Sequence, residues 1–513
     1  MLRGLPVRED AFVNVLARPA RVPAVAQSMP DALPGASLCV IAKDEESNIG
    51  DCLRSCAGLF PEIVVVDTGS KDRTKEIALS LGAKVFDFPW IDDFAAARNE
   101  TLKHATRRWV FWMDADDRLD AANREKLRAL LATLPEDLGT AYSMKCRCLP
   151  DPETGSATVV DHMRLFPRLQ GVSWRYRVHE QILPALRSCG VGVAFADIVI
   201  DHTGYVDPAL RGRKLARDLR ILEAQRKDMG DEPFTLFNLG ATYLEMGKHE
   251  EALPMLEGSL ARSHRSDSIV RKLHSLAAHC HLRAGRRQEA LKAVLRGLRD
   301  CPGDAELLLM EGALRLEDRD FHGARNALVG LVAGEAEGGH FASVTDGLRT
   351  FRARHHLAEA CMGLGEEADA ELLWRRACVE APSWRPPRSA LASLVLRQRR
   401  WDELEAQARE LEGIAGAAGE AAWLRGKALL DRGDAPGAAA LLGEAAARLP
   451  GDGAVAMLLA SALEAAGRSD EAEKRLEEAL AASPGHAMLA RERDRLRGLR
   501  EARDRAFLPG GMG

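Results

Sequence analysis

The sequence predicts an α/β domain on a mostly parallel, Rossmann-like sheet, followed by an all-α array of helical repeats. Three observations carry that expectation. Short apolar runs alternate with helix-spaced segments from Ser37 to Asp114, the pattern of strand–helix–strand units. The runs end in polar or acidic residues, as strands do where they release side chains at a sheet edge. Beyond Pro233, glycine, alanine and proline recur on a period near 34, as between Gly433 and Gly467 and between Pro450 and Pro484.

The elements follow in order. Residues 1–36 are rich in Pro, Ala and Arg and lack the charged-then-apolar order of a signal peptide, so a loose extension is expected, with Met29 as an alternative start. Ser37–Ala42 is a continuous apolar run, as in a central strand covered on both faces. Ile49, Leu53 and Cys56 recur at helical spacing until Pro61. Glu62–Val66 is the second strand, ending at Asp67-Thr68-Gly69-Ser70, and Lys75–Leu81 is a helix stopped by Gly82. Ala83–Phe86 is a short strand and Ala95–Ala105 a helix. Val-Phe-Trp-Met-Asp-Ala-Asp-Asp (110–117) then reads as a buried strand with three carboxylates at its end. Such alternation implies right-handed crossovers in a largely parallel sheet.

Composition narrows the function. A chain of 513 residues with 46% hydrophobic content can bury several cores. Net charge of -5, a pI near 6.3 and the lack of a long Lys/Arg run argue against a nucleic-acid partner. Apolar runs are too short to span a membrane, since Asp197 already interrupts Val191–Ile200. Ten cysteines are scattered; Cys52/Cys56 and Cys146/Cys148 lack a matching second pair at zinc-finger spacing, and Cys39, Cys280 and Cys361 sit in apolar patterns. That usage suits a reducing, cytoplasmic setting.

Asp114 and Asp116 lie two apart, where one hard cation would bridge them to a diphosphate. An isolated Asp-x-Asp is ordinary surface-turn chemistry. Taken alone, Asp67 reads as a turn former and Glu45 as a helix-start acid. All four carboxylates arriving at strand ends of one sheet make a site the better reading. Asp67 also suits a base, because a carboxylate accepts from the imide N–H of uracil.

Ala-Lys-Asp-Glu-Glu (42–46), Val-Val-Asp-Thr-Gly-Ser-Lys-Asp-Arg-Thr (65–74), Asp-Phe-Ala-Ala-Ala-Arg-Asn (93–99) and Trp-Met-Asp-Ala-Asp-Asp (112–117) together resemble the family 2 glycosyltransferases of GT-A fold. The likeness is to the bacterial branch that carries tetratricopeptide repeats and includes peptide S-glycosyltransferases of the sublancin type, and it covers roughly residues 36 to 232. It implies a nucleotide-sugar site that includes Ala42, Lys43, Glu45, Asp67, Gly69, Ser70, Arg98, Asn99, Asp114 and Ala115. Glu45 and Asp67 would contact the uridine of a UDP-sugar, and Arg98 and Asn99 would lie near the sugar-diphosphate. Asp114 and Asp116 would hold Mn²⁺ or Mg²⁺. Asp44 departs from the pattern, which more often has Asn there, but the change conserves shape.

Downstream, Arg124–Leu134 reads as an amphipathic helix, Tyr142–Cys148 as a strand, Pro150–Gly155 as a hairpin turn and Val159–Phe166 as the returning strand. Arg164-Leu165-Phe166 and Val178-His179-Glu180 resemble that branch's arginine and His-Glu motifs, and His202 ends a strand over Asp197–Asp201, before Gly204-Tyr205. An inverting transfer needs a base for the acceptor proton and positive charge on the leaving diphosphate. Glu180 is the expected base, with Asp161 in reserve. His179 or His202 would complete the cation's shell or touch the leaving phosphate, with Arg164 assisting.

The expected organisation is therefore an extension (1–36), a GT-A glycosyltransferase domain (37–206), a helical connector (207–232) with its helix at Ala209–Lys227, about seven tetratricopeptide repeats (233–490), and a capping helix and tail (491–513). Gly247, Gly285, Gly365, Gly433 and Gly467 fall between paired helices, and Ala252, Ala290, Ala324, Ala370, Ala438 and Ala472 follow on the second helix, with a less regular stretch over Gly330–Gly347. Trp374, Trp401 and Trp423 read as core, and the arginines of 491–505 as a solvated face. Stacked helix pairs form a groove suited to an extended peptide or partner protein. The expected activity is metal-dependent inverting transfer from a nucleotide sugar to a protein or peptide acceptor. A cell-envelope glycan acceptor, or a scaffold with an inactive transferase domain, is the alternative.

Overall fold

Valine, isoleucine and aromatic residues build the sheet at the front of the chain. The computed structural model describes residues 33–148, 158–204, 208–265, 267–334, 344–345 and 347–507. The hairpin expected at Pro150–Gly155, together with Met29, Tyr205 and the Gly-Gly-Met-Gly end, lies outside the described residues. These fall into two compact units, one centred on the sheet and running to His264, the other beginning at Arg265.

In the first unit the elements are β1 (Leu33–Ala42), α1 (Ile49–Ser55), β2 (Glu62–Asp67), α2 (Thr74–Ser80), β3 (Lys84–Asp87), α3 (Phe94–His104), β4 (Arg107–Asp114), β5 (Asp117–Arg118), α4 (Ala121–Ala132), β6 (Thr140–Cys148), β7 (Thr158–Pro167), α5 (Leu183–Ser188) and β8 (Gly192–His202). Helices α6 (Pro208–Met229), α7 (Pro233–Glu245) and α8 (His249–Arg262) complete it. The strand order is β3-β2-β1-β4-β7-β6-β8-β5. β3, β2, β1 and β4 run parallel, and β7 joins β4 antiparallel. β1 begins four residues earlier than expected. Leu33 and Ala36 already pair with Arg107 and Trp109, and an irregularity between them absorbs Pro34 and Gly35.

Register decides where the acidic residues go. Ala42 lies opposite Asp67 and Ile41 opposite Asp114, so β2 and β4 deliver their terminal carboxylates to one rim on either side of β1. Beneath that rim Leu38, Val40, Val64, Val110, Phe111 and Met113 are buried and pack with Ile49 and Leu127 into the main core. Transferring such side chains out of water contributes about 1.5–3 kcal/mol each, which is what makes the strand ends a firm platform.

Among the described residues, α7 and α8 form one helix pair in the first unit, and α9 (Val270–Arg283) to α20 (Ser469–Ala482) form six more in the second, before α21 (Ala487–Phe507). Ala252, Ala290, Ala324, Ala370, Ala438 and Ala472 are all fully buried. Small residues are needed where helices touch: a Cβ on Gly312 would meet Leu328 at 2.5 Å. Trp374 is core, its indole N–H donating to His355 Nδ1 at 3.2 Å. The arginines of α21 among the described residues are solvated, and two of them, Arg497 and Arg500, also reach the buried carboxylate of Glu473 at 2.9 Å.

Candidate active site

The rim is assembled from two interlocked loops. After β1, the backbone N–H groups of Asp44 and Glu45 donate to Ser70 Oγ and Thr74 Oγ1, both at 2.8 Å, and Lys71 N–H returns to Asp44 Oδ1 at 2.7 Å. Thr68 N–H donates to Ala42 O at 2.9 Å. Gly69, at φ 105°, turns the chain so that its own N–H and that of Ser70 reach Asp67 Oδ1 at 3.0 and 2.9 Å. Asp67 Oδ2 is left buried with no partner. Buried carboxylate oxygens are rarely left so, which marks it as an acceptor awaiting a donor. Lys43 stands exposed on the same rim, and Ala115 is buried in the turn after β4.

At the end of β4 the three aspartates divide their work. Asp114 N–H donates to Asp117 Oδ2 at 2.8 Å, bending the chain back on itself. Asp117 is wholly buried; Oδ1 faces His202 Nδ1 at 3.0 Å, and Oδ2 accepts from Arg164 Nη1 at 2.6 Å. Burial opposes its charge, but Arg164 and His202 together hold its carboxyl well below the usual range. Asp116 shows the opposite balance. Burial raises it, the charges of Asp114 and Asp117 raise it further, and His202, 3.4 Å away, only partly offsets them. Glu45 is raised in the same way, by burial first and then by Asp116 and Asp114, against a hydrogen bond from Asn48. His202 is pulled down by burial, yet its bond to Asp117 and the charges of Asp116 and Asp114 leave it raised overall.

Ligand atoms of Asp114, Asp116, Asp117 and His202 all lie within 4.8 Å of one another. Three closely spaced carboxylates plus one imidazole form a donor set that fits a divalent cation such as Mn²⁺ or Mg²⁺. With both oxygens of Asp117 engaged, Asp114, Asp116 and His202 are the residues that would hold such an ion, and Asp117 would orient the histidine. Gly204 completes the fit, for a Cβ there would meet Asp116 Oδ2 at 1.9 Å.

Several expected residues take other places. Arg164 does not face a leaving phosphate: it is 1% exposed, under the Trp112 ring at 3.9 Å, and braces Asp117. Asn99 is spent on the backbone of Trp174, donating to its carbonyl at 3.0 Å and accepting from its N–H at 2.8 Å. Arg98 is buried beneath the rim rather than open to a diphosphate. Its guanidinium lies 4.0 Å from the Trp112 ring centre and 5.3 Å from that of Trp174, while Nη2 donates to Asp114 Oδ1 at 2.8 Å and Nε donates to Glu180. Glu180 thus joins the cluster through Arg98. His179 is exposed on the loop before it, and Asp161 pairs with Lys145 across β6 and β7 at 3.4 Å. Residues that the motifs do not single out are Asp117 as a brace, Trp112 and Trp174 as the indoles that enclose Arg98, and Lys214 on α6. Lys214 donates to Gly204 O at 3.1 Å, and its charge is felt at Glu45. Asp117 and Trp112 do carry a sequence signal, as the last and first residues of the Trp-Met-Asp-Ala-Asp-Asp run.

Residues 37–145 match the Glycosyl transferase family 2 profile, and residues 237–305 and 429–492 match tetratricopeptide repeat profiles. The chain carries a family 2 glycosyltransferase domain followed by tetratricopeptide repeats. The chain also has relatives among known proteins. A TPR repeat-containing protein of Synechococcus elongatus is 31% identical over 271 residues, 52% of this chain and 65% of that protein. The SPbeta prophage-derived glycosyltransferase SunS of Bacillus subtilis is 27% identical over 232 residues, 43% of this chain and 52% of that protein. The chain therefore spans between half and two thirds of these two relatives. Among solved structures, a tetratricopeptide repeat protein from Parabacteroides merdae is 18% identical with a TM-score of 0.37, covering 50% of this chain and 94% of that one. No helix among the described residues is long and apolar enough to cross a membrane.

Proposed function

We propose that the protein is a cytoplasmic, metal-dependent inverting glycosyltransferase that moves a sugar from a UDP-sugar to a protein or peptide acceptor. The observation carrying this reading is the shared rim. Asp67, with one unpartnered buried oxygen, and the aspartates of the Asp114–Asp116–His202 donor set emerge from strands on either side of β1, and His202 joins them from the end of β8.

Asp67 Oδ2 accepts from the imide N–H of the base, and Glu45 lines the nucleotide's approach. Asp114, Asp116 and His202 hold Mn²⁺ or Mg²⁺, which when bound supplies positive charge against the diphosphate. Lys214, beside Gly204, adds a second positive charge at the same mouth. Glu180 accepts the proton of the acceptor group as it attacks C1 from the face opposite the departing UDP, so that the configuration inverts. The helix pairs on the same chain favour a macromolecular acceptor, a segment of which they would bind.

The test is transfer by the full chain with UDP-sugars, Mn²⁺ and candidate acceptor peptides, read by mass spectrometry as a sugar-sized shift. Wild type should give the shift and Asp116→Asn should lose it by at least about 10²-fold. A flat result with every donor, in the presence of either cation, would sink the reading.

A further inference from the structure

We propose that Gln225, on α6, is a positioning residue for the transfer: it holds the 175–181 loop, and through it Glu180, in the conformation the reaction needs. The proposal rests on the glycosyl-transfer reading above.

The loop needs holding. Tyr176 and His179 have φ of 71° and 57°, the left-handed region that side-chain-bearing residues rarely adopt. Such conformations persist only where the surroundings over-determine them. The loop's neck is closed by two backbone hydrogen bonds between Arg175 and Gln181, at 3.0 and 2.9 Å. Between the two strained residues the peptide groups of Arg177 are gripped from both sides. Phe94 N–H, at the start of α3, donates to Arg177 O at 2.7 Å, and Arg177 N–H donates to Gln225 Oε1 at 2.6 Å. Val178 is buried against Ile221 and Leu222 of α6 and Leu239 of α7.

Gln225 is 1% exposed, and the orientation of its amide is set by proton bookkeeping. The Thr235 hydroxyl donates to Glu232 Oε2 at 3.0 Å, so toward Gln225 it accepts, from Nε2 at 2.8 Å. That leaves Oε1 facing Arg177. A continuous path thus runs from Glu232 and Thr235 through Gln225 to the Arg177 backbone, along three residues to Glu180, and through Arg98 to Asp114. Gln225 touches no reacting atom; it acts through the loop. It follows that α6 and α7 are part of the catalytic unit rather than a connector and a separate first repeat.

The experiment uses the full chain with Gln225→Met, which keeps the volume and removes both hydrogen bonds, and Thr235→Val, which removes only the group that orients the amide. Hydrogen exchange at the Arg177 amide should rise at least tenfold in Gln225→Met and less in Thr235→Val. The turnover number should fall by about 10²-fold, the cost of a small misplacement at a reacting centre. KM for the UDP-sugar and Mn²⁺ affinity by titration should stay within twofold, because β2 and β4 are untouched. If Gln225→Met does not fold, Thr235→Val carries the same comparison. Unchanged Arg177 exchange and turnover would overturn the proposal alone, as would equal losses in turnover, KM and Mn²⁺ affinity, the mark of a merely structural role. A wild-type chain that transfers to no acceptor would sink the transfer reading and the proposal together.

Discussion

Arg98 donates from Nη2 to Oδ1 of Asp114 across 2.8 Å, from a guanidinium that is itself buried between two indoles. Its Nε serves Glu180 at the same time. One guanidinium therefore ties the strand-end carboxylate of the proposed cation site to the loop carboxylate proposed as base. Removing it leaves two partly buried acids unpaired, a change that costs about 3–5 kcal/mol when one member of a buried pair is lost. Arg98→Met should lower the unfolding free energy by an amount of that order, and should lower turnover by about 10²-fold or more. Chemical denaturation together with single-turnover transfer checks both. An Arg98→Met chain with normal turnover would show that the tie has no part in the chemistry.

Gly204 tests the proposed cation site without replacing any of the residues that would hold the ion. A methyl group there would lie 1.9 Å from Asp116 Oδ2 and 3.3 Å from His202 Nε2, so either the carboxylate or the backbone must move. Gly204→Ala should weaken Mn²⁺ binding at least tenfold by titration, in the range seen when the groups that orient metal ligands are disturbed. The melting temperature should change little, because the residue sits at the rim and not in the core. Undiminished Mn²⁺ affinity would place the cation elsewhere.

Arg164 and Asp117 form a pair that is 1% and 0% exposed. A diphosphate contact at Arg164 would show as a raised donor KM in a stable protein. The buried brace predicts the reverse: Arg164→Met strands the Asp117 charge and lowers the unfolding free energy by about 3–5 kcal/mol. Denaturant titration beside donor kinetics separates the two readings. A variant of wild-type stability with only donor affinity lost would restore the phosphate role.

Acid should loosen the far end of the sheet from the rim. The Glu62 carboxyl works against burial, but hydrogen bonds from Ser37, from the backbone and hydroxyl of Thr106, and from Lys84 hold it down to about 2. A carboxyl depressed in the folded state adds stability that is fully present above its unfolded pKa, near 4.5, and is lost as pH falls toward about 2. Glu62→Gln should cost a few kcal/mol at pH 7, each pKa unit corresponding to about 1.4 kcal/mol. The gap to wild type should narrow steadily below pH 4.5. A gap that is constant from pH 7 to pH 3 would show that the carboxylate's charge is irrelevant there.

Much of the fold and of the rim is legible in the sequence, and what is not legible has physical causes. The alternation of apolar runs placed the ends of β2 and β4, because buried parallel strands must be continuously apolar and must stop where polar residues begin. Motif spacing brought Asp67, Asp114, Asp116 and His202 into consideration. It could not say that Arg164 and Asn99 face inward, since a buried and an exposed arginine look alike in a sequence. The interlock of Asp44 with Lys71, and the grip of Gln225 on Arg177, join residues distant along the chain and leave no periodic trace. β5, only two residues long, is a product of the Asp117–His202 pairing rather than of strand propensity.

The helix pairs hold the most local example of that limit. Gly247, Gly285, Gly365, Gly433 and Gly467 turn between paired helices at φ from 72° to 86°, and each announces its turn in the sequence. The same turns in two other pairs are made by Arg319 and Arg399, at φ of 59° and 55°, so those units lack the glycine that would mark them. Both arginines are exposed. A side chain in the left-handed region costs about 1–2 kcal/mol, which glycine does not incur, although glycine's looser unfolded state returns part of that difference. Arg319→Gly and Arg399→Gly should therefore each stabilise the chain by about 0.5–1 kcal/mol. Arg399→Ala, which keeps the Cβ, should do nothing comparable, and Gly365→Ala should destabilise by a similar amount. The check is the denaturant midpoint of all four variants. If alanine at Arg399 stabilises as much as glycine, the benefit comes from losing the charge, and the backbone argument fails.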